Sequence, residues 1–143
     1  KMREKSFELE TDPLKKAKYK LKFAQAAKDR GQYSKARSLA REALKFNPRS
    51  GRAYLFIATL YQGSVNDCGA NLFEKRMVYV AALNMAERAA AVDPSISSRA
   101  RKYINIYEQN VPSKKDIFNA TAVPGAKFTI KCWIGVTVRI PKK

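Results

Sequence analysis

The sequence predicts a mainly helical fold: antiparallel helix hairpins stacked in a short solenoid, with a capping helix and a small C-terminal β-hairpin. Three observations predict it. One pattern of small and aromatic residues occurs twice, in 17–50 and in 51–94. Each occurrence closes on Asn-Pro or Asp-Pro, at Asn47-Pro48 and Asp93-Pro94. Period-two apolar alternation is confined to residues 127–140. Self-similarity at such a period marks an array of supersecondary units, each burying its apolar face against its neighbour.

Residues 1–16 have weak periodicity and mixed charge, and read as an N-terminal extension, either a helix start or the remnant of an earlier repeat. In the first unit, 17–50, Phe23, Ala24 and Ala27 share one helical stripe, and Ala36, Ala40 and Ala43 share another. Gly31-Gln32-Tyr33 separates them, with glycine supplying a turn conformation that a side chain resists. Alanines let two helices approach closely, and Pro48 cannot continue the second one. The second unit, 51–94, repeats this with Tyr54, Ile57, Ala58 and Tyr61, then Tyr79, Ala82, Ala86 and Ala89. Its helices are separated by the insertion 63–71, rich in turn formers. Asn71 and Glu74 are placed to cap a long helix starting near Leu72. The insertion reads as a longer surface loop or, more sharply, as a loop beside a binding groove.

These positions resemble the tetratricopeptide repeat (TPR) family over residues 17–94. Gly31, Tyr33, Ala36, Ala43 and Pro48 fall where that family has its turn glycine, aromatic, small residues and terminal proline, as do Ala58, Tyr61, Ala82, Ala89 and Pro94 in the second unit. The resemblance implies a TPR-type scaffold with a concave, ligand-facing surface. By their offsets from the buried residues, Lys18, Lys22, Gln25, Arg52, Leu55 and Thr59 are expected to face it. The set lacks the clamp that some TPR proteins use for C-terminal carboxylates. The expected ligand is therefore a protein or an extended, acidic peptide.

Two units alone are marginal, since about three are needed for a continuous core. Residues 95–110 supply a capping helix, with Ala100, Ile104 and Tyr107 on one face. In the C-terminal segment 111–143, Ser113 with Asp116 marks one short capped turn that points Ile117 and Phe118 inward. Phe128, Ile130 and Cys132 alternate with polar neighbours, as do Val136, Val138 and Ile140, so a hairpin turning at Ile134-Gly135 is expected. An isolated hairpin is marginal. It should pack on the array, covering the exposed end of the second unit with Trp133 as an anchor.

Net charge is +17, from 29 Lys and Arg against 12 acids. It is concentrated in residues 1–52 (16 basic, 6 acidic) and 111–143 (7 basic, 1 acidic). Such a balance solubilises, or attracts an anionic partner. Recognition-helix and arginine–aromatic patterns are lacking, which disfavours nucleic acid. No apolar run approaches the roughly 20 residues of a transmembrane helix, so membrane contact would be peripheral. The first residue is Lys1 rather than Met, so the N-terminus leaves the presence of a leader open.

Histidine is absent, which removes the commonest general base and metal ligand. No nucleophile elbow, phosphate loop or dinucleotide glycine pattern occurs. The sequence therefore points to no enzyme, no cofactor and no metal. The two cysteines, Cys68 and Cys132, admit a disulfide in an oxidising compartment or two thiols in a reducing one. Alternation places Cys132 with Phe128 and Ile130 on the face expected to be buried, where it would act as a small apolar residue.

A longer string also resembles bacterial TPR proteins associated with the cell envelope, over roughly residues 34–140. The matching residues are Cys68-Gly69, Phe73-Glu74-Lys75-Arg76, Val92-Asp93-Pro94-Ser95, Trp133-Ile134 and Thr137-Val138-Arg139. That resemblance implies a periplasmic or envelope-associated scaffold and raises the expectation of the disulfide. A cytoplasmic location is the alternative.

Overall fold

A computed structural model describes residues 7–142. The extension expected before residue 17 is therefore seen only from Phe7 onward, and residues 1–6 lie outside the described residues. Helix α1 starts within that segment, at Pro13, and runs to Asp29. Asp12 starts it by accepting the Leu14 amide at 2.9 Å, and Pro13 at the first helical position needs no amide donor.

Helix α1 turns at Gly31, whose φ of +76° is one that L side chains avoid, into α2 (Tyr33–Phe46). Ala24, Ala27, Ala36, Ala40 and Ala43 are all buried, and α1 packs closely on α2. Helix α3 (Gly51–Gln62) follows, started by the Ser50 hydroxyl accepting from the Ala53 amide. The insertion forms a four-residue helix, α4 (Val65–Cys68), before α5 (Leu72–Val92). Asn71 accepts the Glu74 amide at 2.9 Å, while the Glu74 carboxylate reaches back one residue further than a regular capping box, to the Ala70 amide. Gly69 lies so close to α5 that a Cβ there would fall 2.5 Å from the Lys75 nitrogen. A side chain at this position has no room.

Helix α5 packs against α3 and against α6 (Ser97–Glu108), and it also touches α7 (Lys114–Asn119) and strand β2 (Thr137–Arg139). Its buried residues, Met77, Val78, Val80, Ala81, Ala82, Ala86 and Ala89, accordingly fall on several faces, as a central helix requires. Helix α6 buries Ala100, Ile104 and Tyr107. A 3-10 turn, Pro94–Ile96, joins it to α5.

Asp93 ties this junction together. One carboxylate oxygen accepts the Ser95 amide and hydroxyl, and the other accepts the Gly51 amide at 3.0 Å, linking the starts of α3 and of the 3-10 turn. The Ser95 hydroxyl bond, chiefly, and then the Gly51 and Ser95 amides hold its pKa below the usual carboxylate value. A depressed folded pKa means stability that is present above the ordinary carboxylate range and lost as pH falls through the folded pKa. Asp93→Asn keeps one acceptor oxygen but loses the charge and the second acceptor, and should therefore cost about 1 kcal/mol at neutral pH, the order of one lost hydrogen bond. The gap should narrow as pH falls through and below the ordinary carboxylate range. Urea denaturation of both proteins across that range checks it, and a gap independent of pH would contradict it.

The C-terminal segment departs from expectation in three places. Phe118 does not face inward: it is 83% exposed, whereas Ile117 is buried. The Ser113–Asp116 capping box forms as read. The helix then ends in a Schellman turn, with the Ala122 amide on the Ile117 carbonyl and the Thr121 amide on the Phe118 carbonyl. With so short a helix, only one of two adjacent side chains can meet the core. Second, the paired strands are shorter than the alternation. Strand β1 (Lys127–Thr129) pairs antiparallel with β2 in the register Phe128↔Val138, and residues 131–135 form a loop. Cys132 in that loop has φ +126° and is exposed rather than buried. Alternation fails there because Trp133 docks on the helices while Cys132 bonds to Cys68. Third, the hairpin does not dock on the second unit alone: β2 touches α5 and Phe128 meets Phe73, as expected, but the loop also reaches the first unit. There it meets Tyr33 and Arg37 of α2 beside Tyr61 of α3.

Candidate functional site: a basic cleft across three helices

A cleft of about 460 Å³ with a distinct chemistry lies between α1, α3 and α6. Lys18, Lys22, Gln25, Arg52, Leu55 and Thr59, the six residues assigned to the concave face, all line it. Lys18, Lys22, Gln25 and Arg52 are exposed, and Thr59 is half-buried. Leu55 is only 6% exposed, so it forms floor rather than an accessible contact. Leu21 at the equivalent place on α1 is likewise floor.

Side-chain bonds set the cleft's shape. Lys28 donates to the Thr59 hydroxyl at 3.2 Å and lies 5.6 Å from the centre of the Phe56 ring, joining α1 to α3. Thr59 donates in turn to the Phe56 carbonyl. Gln25 donates to Asp29 at 2.9 Å, which turns its amide along α1. The lining carries Lys18, Lys22, Lys28, Arg52 and Arg99 and no acidic residue. It offers cationic, amide and hydroxyl donors over the aromatic rings of Phe56 and Tyr103.

Leu21, Lys28, Phe56, Arg99 and Tyr103 are the lining residues that sequence reasoning missed here. A signal for the last two was present. Arg52, Ala53, Phe56 and Ile57 recur 47 positions later as Arg99, Ala100, Tyr103 and Ile104 (52 to 99). Burial follows the same correspondence: Ala53 and Ala100 are both fully buried, and Ile57 and Ile104 nearly so. Residues 97–108, read as a cap, thus share these offsets with α3.

The insertion does not border this cleft. Gly63, Ser64 and Asp67 lie instead beside Tyr33 and Trp133, around a second hollow of about 580 Å³. There Ser64 accepts the Trp133 indole N–H at 3.0 Å, and Cys68 is bonded to Cys132, with Cα atoms 5.3 Å apart. The insertion thus tethers the C-terminal segment. Arg37, not singled out in the sequence, completes the tether. It donates to the Ile134 carbonyl at 2.6 Å, the Trp133 carbonyl at 3.1 Å and the Tyr61 hydroxyl at 3.1 Å, with its guanidinium 4.9 Å from the Trp133 ring centre.

Among the described residues no group of three or more His, Cys, Asp or Glu side chains is placed to hold a metal. No helix among them is long and apolar enough to cross a membrane. No family model, curated protein or solved structure matches the chain.

Proposed function

We propose that this chain is a non-catalytic TPR-type scaffold whose basic cleft takes a protein or peptide segment within a bacterial envelope assembly. One observation carries the reading: cations distant in sequence converge on a single cleft that has no acidic lining residue. Fixed charges of one sign in a concave surface raise the local concentration of an oppositely charged partner. The helix pairs α1/α2 and α3/α5, with close alanine contacts and proline-closed ends, are what a TPR-type array requires. The disulfide supports the envelope location, because such bonds persist in oxidising compartments.

The test is affinity purification from envelope extracts, comparing wild type with a Lys18→Glu/Arg52→Glu variant. Wild type should retain one stoichiometric protein, and the variant should bind that purified protein at least about tenfold more weakly. Unchanged affinity would remove the cleft from the function. A second reading, a basic structural subunit resting on anionic lipid or polysaccharide, is favoured by one feature. Phe118 and Val123 stand 83% and 66% exposed in a segment that also carries Lys114 and Lys115. Salt-sensitive sedimentation with anionic vesicles, lost on Phe118→Ser and with no protein partner retained, would select it.

A further inference from the structure

The C-terminal hairpin is a sheet with an open side. The Ile130 amide donates to the Val136 carbonyl and the Ile140 amide to the Ala126 carbonyl, each at 2.9 Å. In an antiparallel ladder, residues that exchange bonds alternate with residues that do not. Around the Phe128↔Val138 register, this alternation turns the N–H and C=O groups of Thr137 and Arg139 away from β1. Both residues are exposed, and among the described residues neither makes a backbone hydrogen bond beyond the hairpin. An uncovered edge of this kind is a template for another strand.

The edge borders a hollow. Near the start of α5, Phe73 meets Phe128 of β1, with ring centres 5.6 Å apart. Farther along the same helix, Ala81, Met85 and Arg88 line a hollow of about 430 Å³ together with Val136, Thr137 and Val138 of the hairpin. The hollow thus lies on the side of β2 away from β1, where a third strand continues the sheet over α5. We infer that β2 accepts an extended segment of a partner protein on this edge, as that third strand. Main-chain bonds to Thr137 and Arg139 hold it, and side chains at alternate positions give it specificity. A residue in register with Val138 points inward, onto Ala81 and Met85, so it is apolar; its neighbours point to solvent beside Thr137 and Arg139. A second copy of this chain is the poorer occupant, because each copy carries +17 and self-association is opposed. The edge shares no lining residue with the basic cleft, and the inference does not depend on what the cleft binds.

The probe is a capped synthetic peptide of about six residues, the length of an ordinary strand. It alternates Val and Thr and is uncharged, so the basic cleft does not attract it. Two N-methylated forms accompany it, one modified at every Val and one at every Thr. Amides of alternate residues point to the same edge of a strand, so each form blocks one edge only. At millimolar concentration the unmodified peptide should slow hydrogen exchange of the Thr137 and Arg139 amides, followed by NMR, at least about tenfold. Only one of the two methylated forms should lose this effect. Thr137→Pro removes an edge-facing amide without removing a ladder bond to β1, and should abolish the protection. Met85→Glu puts a charge under the apolar side chain and should weaken it too, which keeps the test valid should Thr137→Pro alter the Trp133 fluorescence. Lys18→Glu/Arg52→Glu should leave the protection unchanged; its loss there places the peptide in the cleft and overturns the edge site while the scaffold reading stands. Equal protection by both methylated forms, or none of either amide by the unmodified peptide, overturns strand addition. Protection that rises with protein concentration alone gives the edge to a second copy and overturns the partner.

Discussion

Reducing the Cys68–Cys132 disulfide should lower the free energy of unfolding by about 4 kcal/mol, the largest single effect expected of any change to this chain. The bond joins residues 64 apart. In the chain-entropy description, closing a loop of that length restricts the unfolded ensemble by about 4 kcal/mol. The folded side adds a second reason to expect a loss. Residues 131–135 carry little regular structure of their own, and among the described residues the paired strands are three residues each. A hairpin so short gains little from its own ladder. Urea denaturation with and without a phosphine reductant should show a midpoint shift of about 2 M for a chain of this size. Cys132→Ser should reproduce the reduced protein. A shift under about 1 kcal/mol would mean that the side-chain contacts of Trp133 and Arg37 already confine the loop in the unfolded ensemble. Thiol titration of the unfolded, non-reduced protein provides the independent check: two free thiols would remove the bond, and the support it lends to an envelope location.

The helical part of this fold was legible because its signals are local and repeated. Gly31 marks its turn, Asn71 and Ser113 each cap the helix that follows, and the alanine stripes of α1 and α2 are buried on the faces they were read to occupy. Each depends on residues within one or two helical turns. The cleft residues were legible for the same reason, since offset along a helix fixes which face a side chain takes. What failed depends on contacts remote in sequence. Cys132 keeps the alternation of a strand, yet its conformation is set by a bond to the insertion and by the docking of its neighbour Trp133 on α2 and α3. Phe118 has the composition of a core residue, but α7 is too short to bury two adjacent side chains. Arg99 and Tyr103 were missed for a different reason. No long second helix follows α6 as α5 follows α3, so its likeness to α3 was hidden behind the role of a terminal cap.

Arg37→Ala should cost about 3 kcal/mol, second only to loss of the disulfide, although nothing about Arg37 in the sequence sets it apart from the other surface arginines. The guanidinium donates to two backbone carbonyls of the C-terminal loop and to Tyr61, and it lies against the face of Trp133. Hydrogen bonds from a charged donor contribute about 1.5–3 kcal/mol each when sheltered. The site is only partly buried, so solvent screening and competition from water reduce their sum. The cation–ring contact adds about 0.5–1 kcal/mol. Removing the side chain also strands the Trp133 and Ile134 carbonyls against α2, and orphaned acceptors cost more than the bonds contributed. Arg37→Lys separates charge from geometry. A single ammonium cannot reach both carbonyls and the Tyr61 hydroxyl while stacking on an indole, so it should recover less than half of the loss. Trp133 is the only tryptophan of the chain, and its fluorescence therefore reports on this docking directly. Arg37→Ala should shift and quench differently from wild type in the folded state, and Cys132→Ser on its own should do so less. Combined with Cys132→Ser, its cost should exceed the sum of the two single losses, because each tether limits the freedom that the other's removal would release. Strict additivity would show that the disulfide and the arginine act on separate parts of the fold, and would break the link drawn here between the insertion, α2 and the C-terminal loop.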